Sequence, residues 1–219
     1  MGSLCAQSLA TGDSLFAAKK YTEANEIYEA VYRQSQASPS MLLKMAFIQE
    51  GLEEYGRALY YLNQYHALSA NKKALEKMSE IADEQGLLGY EFSDIRFFLS
   101  LVNAYRPSIL GLLYALSVLM TALLYFNRKK ERPLVAPAFV QVLTITMLVL
   151  VINNFFTKPQ GIIDRDQTLL MTGPSAGAQA IDMIEEGHKV SILDTDEAWI
   201  KISWGDQEGY IRKNRIRLI

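Results

Sequence analysis

Two histidines, one cysteine and a knot of turn carboxylates are the few residues of this chain with acid-base, nucleophilic or metal chemistry to offer, and their spacing combines none of them. His66 and His188 lie more than half the chain apart, and each reads as an exposed helix or turn residue rather than a ligand. The lone Cys5 excludes a disulfide framework and any multi-cysteine metal site. Asp194, Asp196 and Glu197 cluster where turn formers are expected. No glycine-rich phosphate loop, Ser/His/Asp set or zinc-ligand spacing occurs. The residues therefore point away from an enzyme: no catalytic residue, cofactor or metal is expected. What remains is binding. Trp199, Trp204 and Tyr210 offer an aromatic groove for peptide or glycan. Strand alternation sends Trp199 and Trp204 to opposite faces, and the groove is placed at Trp204 and Tyr210.

The elements that must carry these residues are organised by two uncharged apolar stretches, 107–126 and 133–157. At ~1.5 Å rise per residue each spans a hydrocarbon core of roughly 30 Å, so the expectation is a transmembrane α-hairpin embedded in a lipid bilayer. The loop between them, 127–132, sets Arg128, Lys129, Lys130 and Arg132 against Glu131 alone, and short loops rich in Lys and Arg stay cytoplasmic. The expectation is a membrane protein with two spans and both termini extracytoplasmic. Ser117 and Thr121 share one face of the first span, and Gln141 and Thr144 one face of the second, fit for interhelical hydrogen bonds. Neither span holds Asp, Glu, Lys, Arg or His, so a proton or ion path has no carrier.

Two soluble modules flank the hairpin. Residues 11–105 carry nine Lys/Arg against thirteen Asp/Glu, and residues 157–219 eight against ten, so no basic face argues for nucleic acid. Residues 1–10 read as a signal-peptide remnant, with Ser8 and Ala10 in a small-x-small pattern.

The N-terminal module repeats at an offset of 34 residues. Tyr21 falls on Tyr55, Ala24 on Ala58, Tyr28 on Leu62, Val31 on Tyr65 and Gly12 on Ala46. Small residues sit where two antiparallel helices touch, and larger ones fill the gap to the next pair. This pattern resembles the tetratricopeptide repeat. A third unit is expected from a helix over 73–86 and a partner over 91–105, with Tyr90 and Ser93 at the positions of Tyr21 and Ala24. The resemblance implies an array that binds a protein segment on the face of its first helices, at Phe16, Leu43, Phe47 and Glu50.

From about Gln160 the texture changes to short alternating segments broken by Gly, Asp and Ser, the pattern of a small all-β barrel over 158–219. Gly173-Pro174-Ser175, Glu186-Gly187 before a Val-x-Ile-Leu-Asp strand, Trp199, and Gly209-Tyr210-Ile211 resemble the landmarks of the bacterial SH3 (SH3b) domain in order. Tyr210 stands where that family usually has tryptophan. The fold class is thus multi-domain: all-α tetratricopeptide repeats, a transmembrane α-hairpin and an SH3-like barrel. The order of parts resembles the BatE family of the Bacteroides aerotolerance (Bat) system. That resemblance implies a scaffold of the bacterial inner (cytoplasmic) membrane whose partners are other Bat membrane proteins with von Willebrand factor A domains and a MoxR-type ATPase, in oxidative or envelope stress tolerance. The SH3b resemblance alone implies a second reading, binding or sensing of peptidoglycan.

Overall fold

The computed structural model describes residues 2–91, 94–131, 133–153 and 159–219. It divides into two compact units, Met1–Ser93 with Pro159–Ile219, and Asp94–Lys158.

In the first unit, α1 (Gly2–Ala17), α2 (Tyr21–Arg33), α3 (Pro39–Gly51), α4 (Tyr55–Ser69) and α5 (Lys72–Gln85) pack each against the next. Helix α1 runs unbroken past residue 10. The 34-residue offset is visible in the backbone: Lys19 and Glu53 both take left-handed φ values, 60° and 62°. The residues that follow them, Lys20 and Glu54, enter α2 and α4 with the same geometry. Ala24 and Ala58 are fully buried, as a close helix approach requires. Gly12, one repeat before Ala46, lies so near Tyr28 that a Cβ would sit 2.7 Å from its ring. Ser38 caps α3 through its hydroxyl, with Pro39 opening the helix, and Asn71 caps α5.

The expected third helix pair is not built as the sequence reads it. Ser93 lies outside the described residues, and α6 (Asp94–Ala104) belongs to the other unit, joined through Tyr105 to the long apolar α7 (Arg106–Lys129). The β module supplies the missing cover instead. Tyr90, Ile162, Leu87 and Ile219 join the helical core beside Met78, Ile81 and Ala82 of α5, and β1 packs on α4. An all-β surface can satisfy this demand because burial of apolar area is not directional.

That module comprises β1 (Gln160–Ile163), β2 (Thr168–Met171), β3 (Ala180–Ile184), β4 (Lys189–Thr195), β5 (Trp199–Trp204), β6 (Gln207–Arg212) and β7 (Ile216–Leu218). They form one antiparallel sheet in the order β3-β2-β6-β5-β4-β1-β7. Laid flat, its end strands would stand ~29 Å apart. Yet every strand contributes to a single core, from Ile184 of β3 through Leu170, Ile211, Ile200, Ile202, Val190, Ile192 and Ile163 to Ile216 of β7, so the sheet is curled around it. A register shift at Leu193 and a 3₁₀ turn over Lys213–Arg215 bend the chain.

In the second unit α7 and α8 (Val135–Ile152) are each long and apolar enough to cross a membrane. The sheltered positions include Leu113, Ser117, Met120 and Leu124 of α7, and Gln141, Thr144, Leu148 and Val151 of α8, which recur at three-four spacing. Gln141 donates its amide to Ser117 Oγ (3.0 Å) and Thr121 Oγ1 (3.3 Å), while Thr144 turns its hydroxyl to the Val140 carbonyl (2.8 Å). Arg106 donates to the Ile152 carbonyl at 2.7 Å, closing the far end. The loop expected over 127–132 is shorter, because α7 continues through Lys129; cations in a last helical turn complement its dipole. Arg132 and residues 154–158 lie outside the described residues. The second span, expected over 133–157, is helical from Val135 to Ile152.

Gly209 is a tight point of the sheet: a Cβ there would meet the Leu170 side chain and the Met171 carbonyl oxygen, each at 2.8 Å. Gly209→Ala is expected to cost about 1–3 kcal/mol, the usual penalty of overpacking, read as a lowered melting midpoint of the purified protein.

Candidate functional site

Phe16 of α1 and Phe47 of α3 meet with Tyr21, the first residue of α2. The three rings make mutual edge contacts with centroids 5.3, 5.8 and 5.7 Å apart. Helix α3 buries Met41, Leu42, Met45, Ala46 and Ile48, a broad arc, and still presents Leu43 and Phe47, one turn apart, to solvent at 45% and 54% exposure. An exposed apolar pair backed by an aromatic cluster is the feature that calls for a partner, since scattered single residues would not. Ion pairs flank it. Lys44 reaches Asp13 at 2.7 Å and lies 5.7 Å over the Phe16 ring. Farther along, Lys77 of α5 reaches Glu50 at 2.9 Å. Partial burial acts to raise the Asp13 carboxyl, but hydrogen bonds from Lys44 and Tyr28 hold it below the usual range. The hydrogen bond to Glu50 raises the Lys77 ammonium. Phe16, Leu43 and Phe47 thus form one apolar patch, and Glu50 is tied into a bridge between first helices. Such a surface holds an apolar side chain by desolvation and does no bond chemistry.

The groove expected between Trp204 and Tyr210 is not formed. The β5–β6 register pairs Ile200 with Ile211, Ile202 with Gly209 and Trp204 with Gln207, all on the core side. Trp199 with Arg212, Lys201 with Tyr210 and Ser203 with Glu208 share the outer side. With a period of two, an even and an odd offset cannot share a face here, so Trp204 and Tyr210 lie on opposite faces. Trp204 packs on the sheet core and, edge-on, against His188 at 5.2 Å. The outer row is instead Trp199, with the Arg212 guanidinium 5.5 Å over its ring, then Tyr210, then Lys201 bridged to Glu208 at 3.0 Å. The register that joins Trp199 to Tyr210 was beyond reach from spacing alone.

Neither histidine is exposed. His66 is buried at the end of α4, where Nδ1 donates to the Asn71 carbonyl at 3.0 Å. His188 is buried where the β module meets the helices, and its Nδ1 accepts the Leu88 N–H at 3.0 Å. Beside it the Lys189 N–H donates to the Leu88 carbonyl (3.0 Å) and the Tyr90 hydroxyl to the Gly187 carbonyl (2.7 Å). The signal for this seam was the apolar run Leu87-Leu88 directly after the helix-ending Gly86, in a loop where polar residues are the rule.

Burial lowers the His188 imidazole below its ordinary 6.5, against a smaller opposing pull from Glu185, and burial lowers His66 likewise. A protonated His188 has no lone pair at Nδ1 for Leu88. The undocked residue takes its proton near 6.5 and the docked one only at lower pH. The stabilisation is therefore complete above that value and lost as pH falls below it, through the lowered folded value. Hydrogen exchange at the Leu88 amide, corrected for intrinsic rate, is expected to quicken from pH 7.5 to pH 5, and His188→Asn to flatten that dependence.

Comparison with known families identifies one module. A family model described as the bacterial SH3 domain matches residues 171–216, from the last residue of β2 to the first of β7. No curated protein matches the chain. The curled sheet over 171–216, with Trp199 and Tyr210 on its outer face, is a bacterial SH3 domain.

Proposed function

We propose that this protein is a non-enzymatic, membrane-anchored scaffold that presents a tetratricopeptide-like array and its docked SH3b domain to other proteins on the extracytoplasmic side of a bacterial inner membrane. The observation that carries the reading is the exposed patch of Phe47 and Leu43 over Phe16 and Tyr21, on the face lined by first helices. The order of parts supports a role in a Bat-type envelope or oxidative-stress complex. The partners would be membrane proteins with von Willebrand factor A domains and a MoxR-type ATPase. Because the helices and the β module share one core, removing either would expose the other's buried face, so point variants are the proper probe. Phe47→Asp is expected to lower co-purification of a von Willebrand factor A partner by about tenfold or more, the worth of one buried aromatic, with an unchanged melting midpoint. Undiminished recovery would refute the patch as the partner site.

A second reading follows from the SH3b match: the domain binds cell-wall peptidoglycan through the outer row of Trp199 and Tyr210. Sedimentation of the detergent-solubilised full chain with cell-wall sacculi, lost in Trp199→Ala, would favour it. Orientation is open to a direct test with single cysteines at Ser35, Asn127 and Ser191 in a Cys5→Ser background. A membrane-impermeant thiol reagent on spheroplasts is expected to label positions 35 and 191 and spare 127.

A further inference from the structure

A groove of about 490 Å³ lies between α2, the start of α4 and β7, on residues the SH3b match and the aromatic patch leave unused. Its lining includes Asn25, Glu26, Glu29, Arg33, Arg57 and Arg217. Arg33 comes from the last turn of α2, Arg57 from the first turn of α4 and Arg217 from β7, so the three guanidinium groups meet only where the sheet docks on the helices.

The lining is held in place from behind. Arg217 is anchored through Nε on Asp164, and its guanidinium stacks 5.4 Å over the Tyr60 ring. Tyr60 in turn shares a 2.8 Å hydrogen bond with the Tyr32 hydroxyl. Gln49, buried at 1% exposure, donates to Asn25 Oδ1 at 3.2 Å, and Glu29 accepts the Tyr61 hydroxyl at 2.5 Å. These contacts spend the carboxylate of Glu29 and one edge of Arg217. By contrast, Arg33 makes no ion pair among the described residues, and Arg57 has only a 4.0 Å approach to Glu54. The lining thus sets three guanidinium groups against two carboxylates, Glu26 and Glu29, in a groove with one pre-oriented planar fork. Planar forks match carboxylates two bonds at a time, and cations at this density disfavour a basic ligand.

We propose that this groove receives a carboxylate-bearing segment of an acidic peptide, gripped jointly by the helical array and the SH3b module. Arg217 sets the plane of the carboxylate, Arg33 and Arg57 close on it from the helices, and Asn25 is placed to pair with the peptide backbone. The site is separate from the Phe47 patch and stands or falls independently of it.

The test uses the full chain in phosphatidylcholine nanodiscs and the fluorescence anisotropy of a labelled glutamate-rich peptide, beside its glutamine counterpart and inorganic phosphate. The glutamate peptide is expected to bind about tenfold or more tightly than the glutamine one, more weakly as salt rises. Arg33→Gln, an exposed change that leaves the melting midpoint in place, is expected to weaken it by about tenfold, as is Arg217→Gln. Equal binding of the two peptides, or no effect of Arg33→Gln, overturns the proposal. An effect of Arg33→Gln without one of Arg217→Gln overturns the joint grip. Tighter binding of inorganic phosphate than of the peptide reassigns the groove to a phosphate group and overturns it as well. Phe47→Asp leaves this binding intact if the two sites are separate.

Discussion

The short backbone seam between Leu88–Tyr90 and Gly187–Lys189 is the constraint on which the larger unit depends. It is a reciprocal exchange: Leu88 gives its N–H to His188 and takes the N–H of Lys189, while Tyr90 closes on Gly187. Gly89 and Gly187, at φ of 95° and 92°, allow the two segments to approach; a Cβ at Gly89 would drive into the Lys189 carbonyl. Hydrogen bonds set direction where apolar contact does not, and buried ones are expensive to leave unmade. The seam therefore fixes which part of the sheet faces α4 and α5. Ile162 and Ile219 then complete the helical core.

Several features follow from that docking. An array of two helix pairs and a fifth helix leaves an apolar flank, and repeat arrays need a closing element. Here an all-β module does the closing, and the chain leaves this unit after residue 93 and re-enters it at 159. Docking also removes some surfaces from use and creates others. His188 and the edge of Trp204 pass into the interior, which leaves the outer row of Trp199, Tyr210 and Lys201 as the free face of the β5–β6 pair. Arg217 is carried to the α2 and α4 arginines. The first-helix face of α1 and α3 is untouched by these contacts and keeps its aromatic patch.

The hairpin follows a different rule. In α7 and α8 most side chains outside the packing seam are apolar and exposed, and the amide of Gln141 is the exception that needs partners. Ser117 and Thr121 supply them from the facing helix, and Thr121 and Thr144 send their own hydroxyls back to carbonyls one turn earlier. Gln141 thus aligns the two helices at one level, and Arg106 on the Ile152 carbonyl does so at another.

Local rules by themselves determined a good deal. The 34-residue offset set Tyr21 on Tyr55 and the alanines 24 and 58 at close helix contacts, where both are buried, because each depends on contacts within one repeat. Continuous apolar runs marked α7 and α8, and alternation marked the strands and the opposite faces of Trp199 and Trp204. Only the tertiary structure decided the burial of both histidines, the placing of Trp199 rather than Trp204 on the face of Tyr210, the allotment of α6 to the hairpin unit, and the meeting of Arg33, Arg57 and Arg217. The reason is common to all four. Periodicity reports which face of an element is apolar, but not which distant element covers it; here residues about a hundred positions apart meet through directional bonds that leave no trace in local spacing.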